Sequence, residues 1–256
     1  MQAGKNVKIT ALLIVYNEVS HIREVLENVS FADEIIAVDS FSTDGTVDVI
    51  KDFPKVKLFQ NPFENFTDQR NFAISKASHH WILFIDADER LPQHTIAEIK
   101  AEIRKPDAHA AYFIRRQIYF QHKRLRFGGR NKDKIERLFQ KDKALYKKGR
   151  LVHEKLDVQG TVGILKNEML HYPYKNFSHI EHKRRQYAQL KAKEIYQRGE
   201  TTYAVWFALK GLYKFVRQYV LRLGFLDGVC GLVLAILNAK YVYMRHVYVV
   251  RIKTNL

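Results

Sequence analysis

Short apolar runs alternate with amphipathic stretches along the first hundred residues. Ile9 to Val15 (ITALLIV) is nearly all apolar, the pattern of a strand covered on both faces. Val19, Ile22, Val25, Leu26 and Val29 then recur at helical spacing. Glu34 to Val38 (EIIAV) predicts a second strand. Asp44 is placed to cap a short helix through Asp52, with Val47 and Ile50 facing inward. Val56 to Phe59 reads as a third strand and Asp68 to Ala77 as a helix. Trp81 to Ile85 (WILFI) reads as a fourth strand, and Pro92 opens a helix reaching to about Arg104.

This alternation with short connections predicts βαβ units and a mainly parallel sheet. Ligands of such sheets lie beyond the carboxyl ends of the strands. The residues expected there are Tyr16-Asn17-Glu18 after Val15, Asp39-Ser40, and Asp86-Ala87-Asp88. Singly, Asn17 could cap a helix and Asp39 could open a turn. Together, at one edge, they mark a candidate site.

Residues 108–170 differ. AAYFIRRQIYF is strand-like, and LVHEKLDVQGTVGIL reads as strand, turn, strand with Gly160 and Gly163 as breakers. The basic stretch Lys123 to Arg150 between them is expected to be a mobile loop, with Gly128-Gly129 as its flexible point. Its Arg124, Arg126, Arg130 and Arg137 could cover a diphosphate or meet an anionic acceptor. From about Asn176 the pattern is helical. Its most apolar part, Leu223 to Ala239, is interrupted by Asp227, three glycines and Asn238, so no transmembrane helix is expected. Apolar turns flanked by Lys210, Lys214, Arg217, Arg222, Lys240 and Arg245 suit a helix lying in a membrane interface. A plain helical hairpin is the simpler alternative. The organisation expected is a nucleotide-binding α/β half over 1–105, an acceptor-side sheet and basic loop of the same domain over 106–175, and an amphipathic helical extension over 176–256.

Composition narrows the class. At 256 residues and 46% hydrophobic, the chain is no disordered protein and suits one large domain, with or without an appendage. A lone cysteine, Cys230, excludes a disulfide scaffold and a multi-thiolate zinc site, and fits a cytoplasmic location. Met1 to Lys8 lacks the apolar stretch of a cleaved signal. Charge is divided unevenly. Residues 1–100 carry 10 basic and 15 acidic groups, 101–170 carry 18 and 8, and 171–256 carry 15 and 4. An acidic first part and a basic remainder imply a separate anionic partner for the second.

Asp86-Ala87-Asp88 carries the sharpest chemistry. Two carboxylates spaced i, i+2 beyond an apolar strand can hold Mg²⁺ or Mn²⁺, which keeps open positions for phosphate oxygens. Such an ion can neutralise a leaving diphosphate. Eleven histidines raise a zinc alternative. His153-Glu154 is followed by Asp157 where an HExxH site needs histidine, His79-His80 sits where solvent is expected, and His171 could contact the metal or diphosphate but reads first as structural.

The strings ALLIVYNE, IIAVDS with the later Asp44-Gly45-Thr46, Gln69-Arg70-Asn71 and FIDADE resemble the family 2 inverting glycosyltransferases. VHEKL, the following Gly160, LHYPY and GFLDG resemble the bacterial lipopolysaccharide-core β-1,4-glucosyltransferase subgroup. The resemblance implies a GT-A fold, α/β and Rossmann-like, and a nucleotide-sugar donor, usually UDP-linked. It implies that Val15, Tyr16, Asn17 and Glu18 lie beside base and ribose, that Asp39 hydrogen-bonds the base, and that Arg70 lies near the nucleotide. It also implies that Asp86 and Asp88 hold the ribose and the metal–diphosphate. Bottom-up chemistry agrees: a carboxylate can accept a uracil imide N–H, and a guanidinium fork matches phosphate.

Inversion requires direct displacement by an acceptor hydroxyl, hence a carboxylate base on the opposite face. Glu154 is the candidate, with Asp157 and Asp133 as rivals. The expected acceptor is a lipid-linked or lipopolysaccharide-core glycan at an anionic membrane surface, reached from the cytoplasmic side. Two other readings compete. A sugar-nucleotide nucleotidyltransferase usually carries a glycine-rich basic loop after the first strand, where this chain has Tyr16-Asn17-Glu18. A nucleic-acid-binding protein fits the pI of about 9.8, but Asp39, Asp86 and Asp88 would repel phosphate without a cation, so no nucleic acid is expected.

Overall fold

The computed structural model describes residues 7–130, 133–147, 156–174 and 176–254. They form two compact units, Met1–Arg116 with Lys134–His171, and Gln117–Asp133 with Tyr172–Leu256. The element order is β1 (Ile9–Val15), α1 (Ile22–Asn28), β2 (Glu34–Asp39), α2 (Thr46–Lys51), β3 (Val56–Gln60), α3 (Phe66–Lys76), β4 (Trp81–Phe84), β5 (Glu89–Arg90) and α4 (Gln93–Glu102). Then follow β6 (Ala111–Phe120), β7 (Lys123–Leu125), β8 (Lys134–Gln140), β9 (Ala144–Tyr146), β10 (Leu156–Val158), β11 (Val162–Tyr174), α5 (Phe177–Gln197), α6 (Ala204–Val216) and α7 (Val229–Thr254).

In the first unit the sheet order is β3-β2-β1-β4-β8-β6-β11-β5. β1 pairs in parallel with β2 and β4, and β2 with β3, whereas β8 runs antiparallel to β4 and β6. The apolar runs explain the layering. Ala11, Leu13 and Val15 of β1 pack with Ile22, Val25 and Leu26 of α1 and Ile96 and Ile99 of α4. Leu12, between them, points with Ile36, Val38 and Phe84 to the opposite face, under Ala73 and Ile74 of α3. Each fully buried aliphatic side chain contributes about 1.5–3 kcal/mol. The short helix α2 is anchored one residue earlier than a standard cap, since Asp44 accepts from the Thr46 amide at 3.1 Å while Gly45 takes the left-handed N-cap position.

Two sequence expectations are corrected here. The stretch after Lys123 is built largely of strands, β7, β8 and β9, and Arg137 lies in the middle of β8, fully buried. Gly163 breaks nothing. It lies inside β11, where a Cβ would stand 2.9 Å from the Tyr112 ring.

Glu34 opens β2 as a buried carboxylate. It accepts from Thr10 Oγ1 (2.7 Å), Ser78 N and Oγ (both 2.8 Å) and Lys57 Nζ (2.6 Å). Burial raises its pKa, but Lys57 and the hydroxyl and amide donors outweigh that and bring it down to about 2, below its ordinary 4.5. Because the folded value is the lower one, its stabilisation is complete above the ordinary value and is lost as pH falls towards about 2. Glu34→Gln is expected to cost on the order of 3 kcal/mol in denaturant unfolding near neutral pH. The gap should close as the acid window is crossed. A gap that stays constant through that window contradicts the assignment.

In the second unit, β7 pairs with the last residues of β6. Two apolar seams hold the helices. Phe120, Leu125, Ile180 and Leu234 form one, and Ala192, Ile195, Phe207, Val242 and Val249 form the other. Between α6 and α7 the chain makes a π-helical turn (Arg217–Leu221) and a 3-10 turn (Gly224–Asp227). Buried Asp227 ties this corner to the segment after β7. It accepts from the Arg126 amide (3.0 Å) and the Phe127 amide (3.1 Å), and its carbonyl accepts from Lys123 Nζ (2.8 Å). Gly231 is obligatory, since a Cβ there would collide with the Gly224 carbonyl. Among the described residues, no helix is long and apolar enough to cross a membrane.

Candidate active site

The parallel register brings three strand ends together. Val15 lies opposite Asp39, and the amide of Ile85, just past β4, donates to Leu12 of β1. Tyr16-Asn17-Glu18, Asp39 and Asp86-Ala87-Asp88 therefore share the carboxyl edge of the sheet.

The loops after β1 and β2 are laced together. Asn17 adopts a left-handed backbone (φ 56°), donates its amide to Ser42 Oγ (2.9 Å) and accepts at Oδ1 from the Thr43 amide (2.8 Å). The Glu18 amide donates to Thr46 Oγ1 (2.8 Å). Tyr16 is exposed (58%), and so is Phe41 (51%), which is also left-handed, at φ 61°. A bulky side chain pays strain in that conformation, a feature that recurs at ligand sites. Asp39 is fully buried and shapes the second loop. It accepts from the Ser42 amide and hydroxyl, and from Gln60 Nε2 at 3.3 Å.

Helix α3 is capped by Asn65, whose side chain accepts from the Asp68 amide (2.9 Å). Three consecutive residues of this helix serve three neighbours. Gln69 donates to Ser40 Oγ (2.9 Å) behind β2. Asn71 exchanges two hydrogen bonds with the Tyr146 backbone of β9. Arg70 is not a surface residue. It is buried, its guanidinium lies 4.6 Å from the Phe84 ring centroid and 5.3 Å from that of Tyr146, and Nη2 stands 3.4 Å from Asp86 Oδ1.

Asp86 thus sits between two arginines, since Oδ2 pairs with the buried Arg137. Burial alone would raise the Asp86 carboxyl, but Arg137 and Arg70 hold it well below the usual carboxylate range. The same carboxylates raise Arg137 above its ordinary value against the pull of burial. Arg137 also donates to Glu89 at 2.8 Å, and Glu89 meets Arg116 at 3.4 Å. Arg137 keeps Nε and Nη1 buried without a partner. Arg90 braces the turn, donating to the Ala87 carbonyl (2.7 Å).

Asp88 is partly open, with 24% of its side chain exposed, and its Oδ2 lies 3.4 Å from His171 Nε2. Among the described residues no group of three or more His, Cys, Asp or Glu side chains is placed to hold a metal. One carboxylate beside one imidazole is too small a donor set to hold a cation alone, so an ion placed at Asp88 would take most of its shell from phosphate oxygens and water. Asp86 contributes fixed charge beside it, its two oxygens being turned to Arg70 and Arg137. Sequence reasoning missed Glu89, Arg116 and Arg137 as a group. Glu154 and His153 lie outside the described residues.

Residues 10–162 match the model of a family described as Glycosyl transferase family 2. Over 254 residues the chain is 25% identical to the lipopolysaccharide core biosynthesis glycosyltransferase LpsC of Rhizobium meliloti (strain 1021), covering 93% of each. Over 83 residues it is 48% identical to the SPbeta prophage-derived glycosyltransferase SunS of Bacillus subtilis (strain 168), which is 31% of this chain and 20% of that one. Among solved structures it resembles S. aureus TarS 1-349 in complex with UDP, with a TM-score of 0.50, 14% identity and coverage of 98% and 92% of the two chains. That likeness is one of fold.

Proposed function

The chain belongs to glycosyl transferase family 2 and has its GT-A fold, and on that premise we propose that it moves a sugar, glucose first among candidates, from a UDP-linked donor to a lipopolysaccharide-core or other lipid-linked glycan. The similarity to LpsC supports the acceptor class, and the UDP carried by TarS supports the donor. The observation that carries the reading is the convergence of the three strand ends on an Asp86 held ionised by Arg70 and Arg137.

The roles follow from position. The loop from Val15 through Glu18, with exposed Tyr16, borders the base and ribose. Asp39 accepts the base imide N–H in place of its longest contact, the 3.3 Å one to Gln60. Arg70 faces the nucleotide, and Asp86 takes a ribose hydroxyl. Asp88 would hold Mg²⁺ or Mn²⁺, with His171 beside it. When bound, that ion offsets the charge gathering on the diphosphate as it leaves.

The transfer is a single displacement. The acceptor hydroxyl attacks the anomeric carbon, the bond to the diphosphate oxygen breaks, and the hydroxyl proton passes to Glu154. Configuration inverts as a result. Titration of UDP-glucose with Mn²⁺ is expected to give binding in wild type and in Glu154→Gln, and a β-linked product from wild type alone. The loss of base catalysis lowers turnover roughly 10²–10⁴-fold. An α-linked product, or no binding of any UDP-sugar, overturns the reading. Binding lost in Glu154→Gln with an unchanged melting curve moves the base elsewhere.

A membrane surface is the third element. Trp206, Leu209, Leu212 and Tyr213 on α6 are exposed, and so are Leu221, Phe225 and Leu226 in the turns that follow. From residue 201 to the end, Asp227 is the one acidic residue, and it is buried. Apolar side chains edged by Lys210, Lys214, Arg217 and Arg222 suit the cytoplasmic face of an anionic bilayer.

A further inference from the structure

The helical unit contains a feature that the strand-end chemistry does not use. Arg184 of α5, Lys210 and Lys214 of α6, and Asn238, Tyr241 and Arg245 of α7 line a cleft of about 450 Å³. Helical spacing assembles it. Lys210 and Lys214 stand four residues apart on one helix face, where like charges repel.

Nothing among the described residues neutralises these cations. The four acids beyond residue 170 are engaged elsewhere. Glu181 is held by Arg185 (3.0 Å) and Lys240 (2.6 Å), Glu194 by Lys191 (2.5 Å), Glu200 by Arg198 (3.8 Å), and Asp227 is bound to the Arg126 and Phe127 amides. Arg184 and Arg245 instead lie over the Tyr241 ring, at 5.8 and 5.2 Å from its centroid. Nε of Arg245 is buried without a partner. Burial and the surrounding charges of Arg217, Arg222, Arg184 and Arg245 pull the Lys214 ammonium below its ordinary value. Four mutually repelling cations around a cavity, with the buried Nε of Arg245 unmet, define a place for an anion.

The neighbouring surface says what kind of anion. Leu209, Leu212 and Tyr213 lie exposed on the helix that supplies Lys210 and Lys214. A ligand there meets charge in the cleft and apolar side chains beside it. Guanidinium forks with an ammonium match a phosphate group.

We propose that this cleft binds the phosphate headgroup of an anionic membrane lipid, seating the α6 surface in the bilayer with a defined register. The proposal rests on the membrane reading above, and the experiment separates the two. The full chain is floated with phosphatidylcholine vesicles containing either phosphatidic acid or, at matched surface charge, oleic acid. Wild type is expected to bind the phosphatidic acid vesicles about tenfold more tightly than the oleic acid ones. Lys214→Gln with Arg245→Gln should abolish that preference while keeping binding to oleic acid vesicles. Leu209→Asn with Leu212→Asn should weaken binding to both.

The charge variant should melt no lower than wild type without lipid, because repulsion has been removed. Equal affinity of wild type for both vesicle types overturns the phosphate site and leaves the membrane reading standing. No flotation with either overturns the membrane reading. If inorganic phosphate then still raises the melting temperature of wild type but not of the charge variant, the anion site stands and the lipid source is overturned. Without that rise both fall.

Discussion

Asp88→Ala is expected to lower kcat/KM roughly 10³-fold or more, about 4 kcal/mol of transition-state stabilisation, while the protein melts within a few degrees of wild type. The two effects separate because of where Asp88 sits. Its side chain is partly exposed, and its ion pair with His171 is long, at 3.4 Å. A single ion pair this long contributes only about 1 kcal/mol to stability. The proposed task of Asp88 is different, since it is the partly exposed carboxylate two residues from Asp86, which Arg70 and Arg137 hold. Asp88→Asn keeps the shape and tests charge alone, and should lose nearly as much. Donor binding measured with and without Mn²⁺ completes the test: the Mn²⁺ dependence seen in wild type should vanish. Turnover within tenfold of wild type at saturating Mn²⁺ removes Asp88 from the role.

Arg137→Met should be the most destabilising single change in the first unit. Arg137 is fully buried and joins Asp86 and Glu89. Its removal leaves the fully buried Glu89 and the partly exposed Asp86 without their main counter-charge, at a cost of about 3–5 kcal/mol. In a unit of this size that lowers the melting transition by roughly 10 °C. Adding Glu89→Gln should return part of the loss, because one orphaned charge goes with it. A double-mutant cycle is expected to give a coupling above about 1 kcal/mol. Additive effects would show that Arg137 acts through packing. Arg137→Lys should not rescue, since a single ammonium cannot fork between two carboxylates.

Much of this architecture was legible in the residues. ITALLIV, EIIAV and WILFI are apolar on both faces, so their identity as buried strands needs no tertiary information, and the parallel topology then dictates where Asp39, Asp86 and Asp88 emerge. Arg137 was illegible for a physical reason. It stands in a strongly basic stretch, where charge reads as solvent-facing, and its partners are 48 and 51 residues away. The clue was local: Leu138 and Phe139 follow it, and both are buried. Gly163 was misleading for a similar reason. A glycine in a strand reads as a breaker until the rings of His109 and Tyr112 are placed over it. Arg70 fell between, since its helix was evident but the buried face of that helix was not.

Gln69, Arg70 and Asn71 reach a loop, the Asp86 carboxylate and a strand from adjacent positions on α3. Each step along a helix turns the chain by about 100°. Adding or deleting one residue between Asn65 and Gln69 would therefore swing all three away from their targets at once, however mild the change in composition. The angular setting of α3 is therefore kept whole or lost whole, like that of a fixed-phase cam.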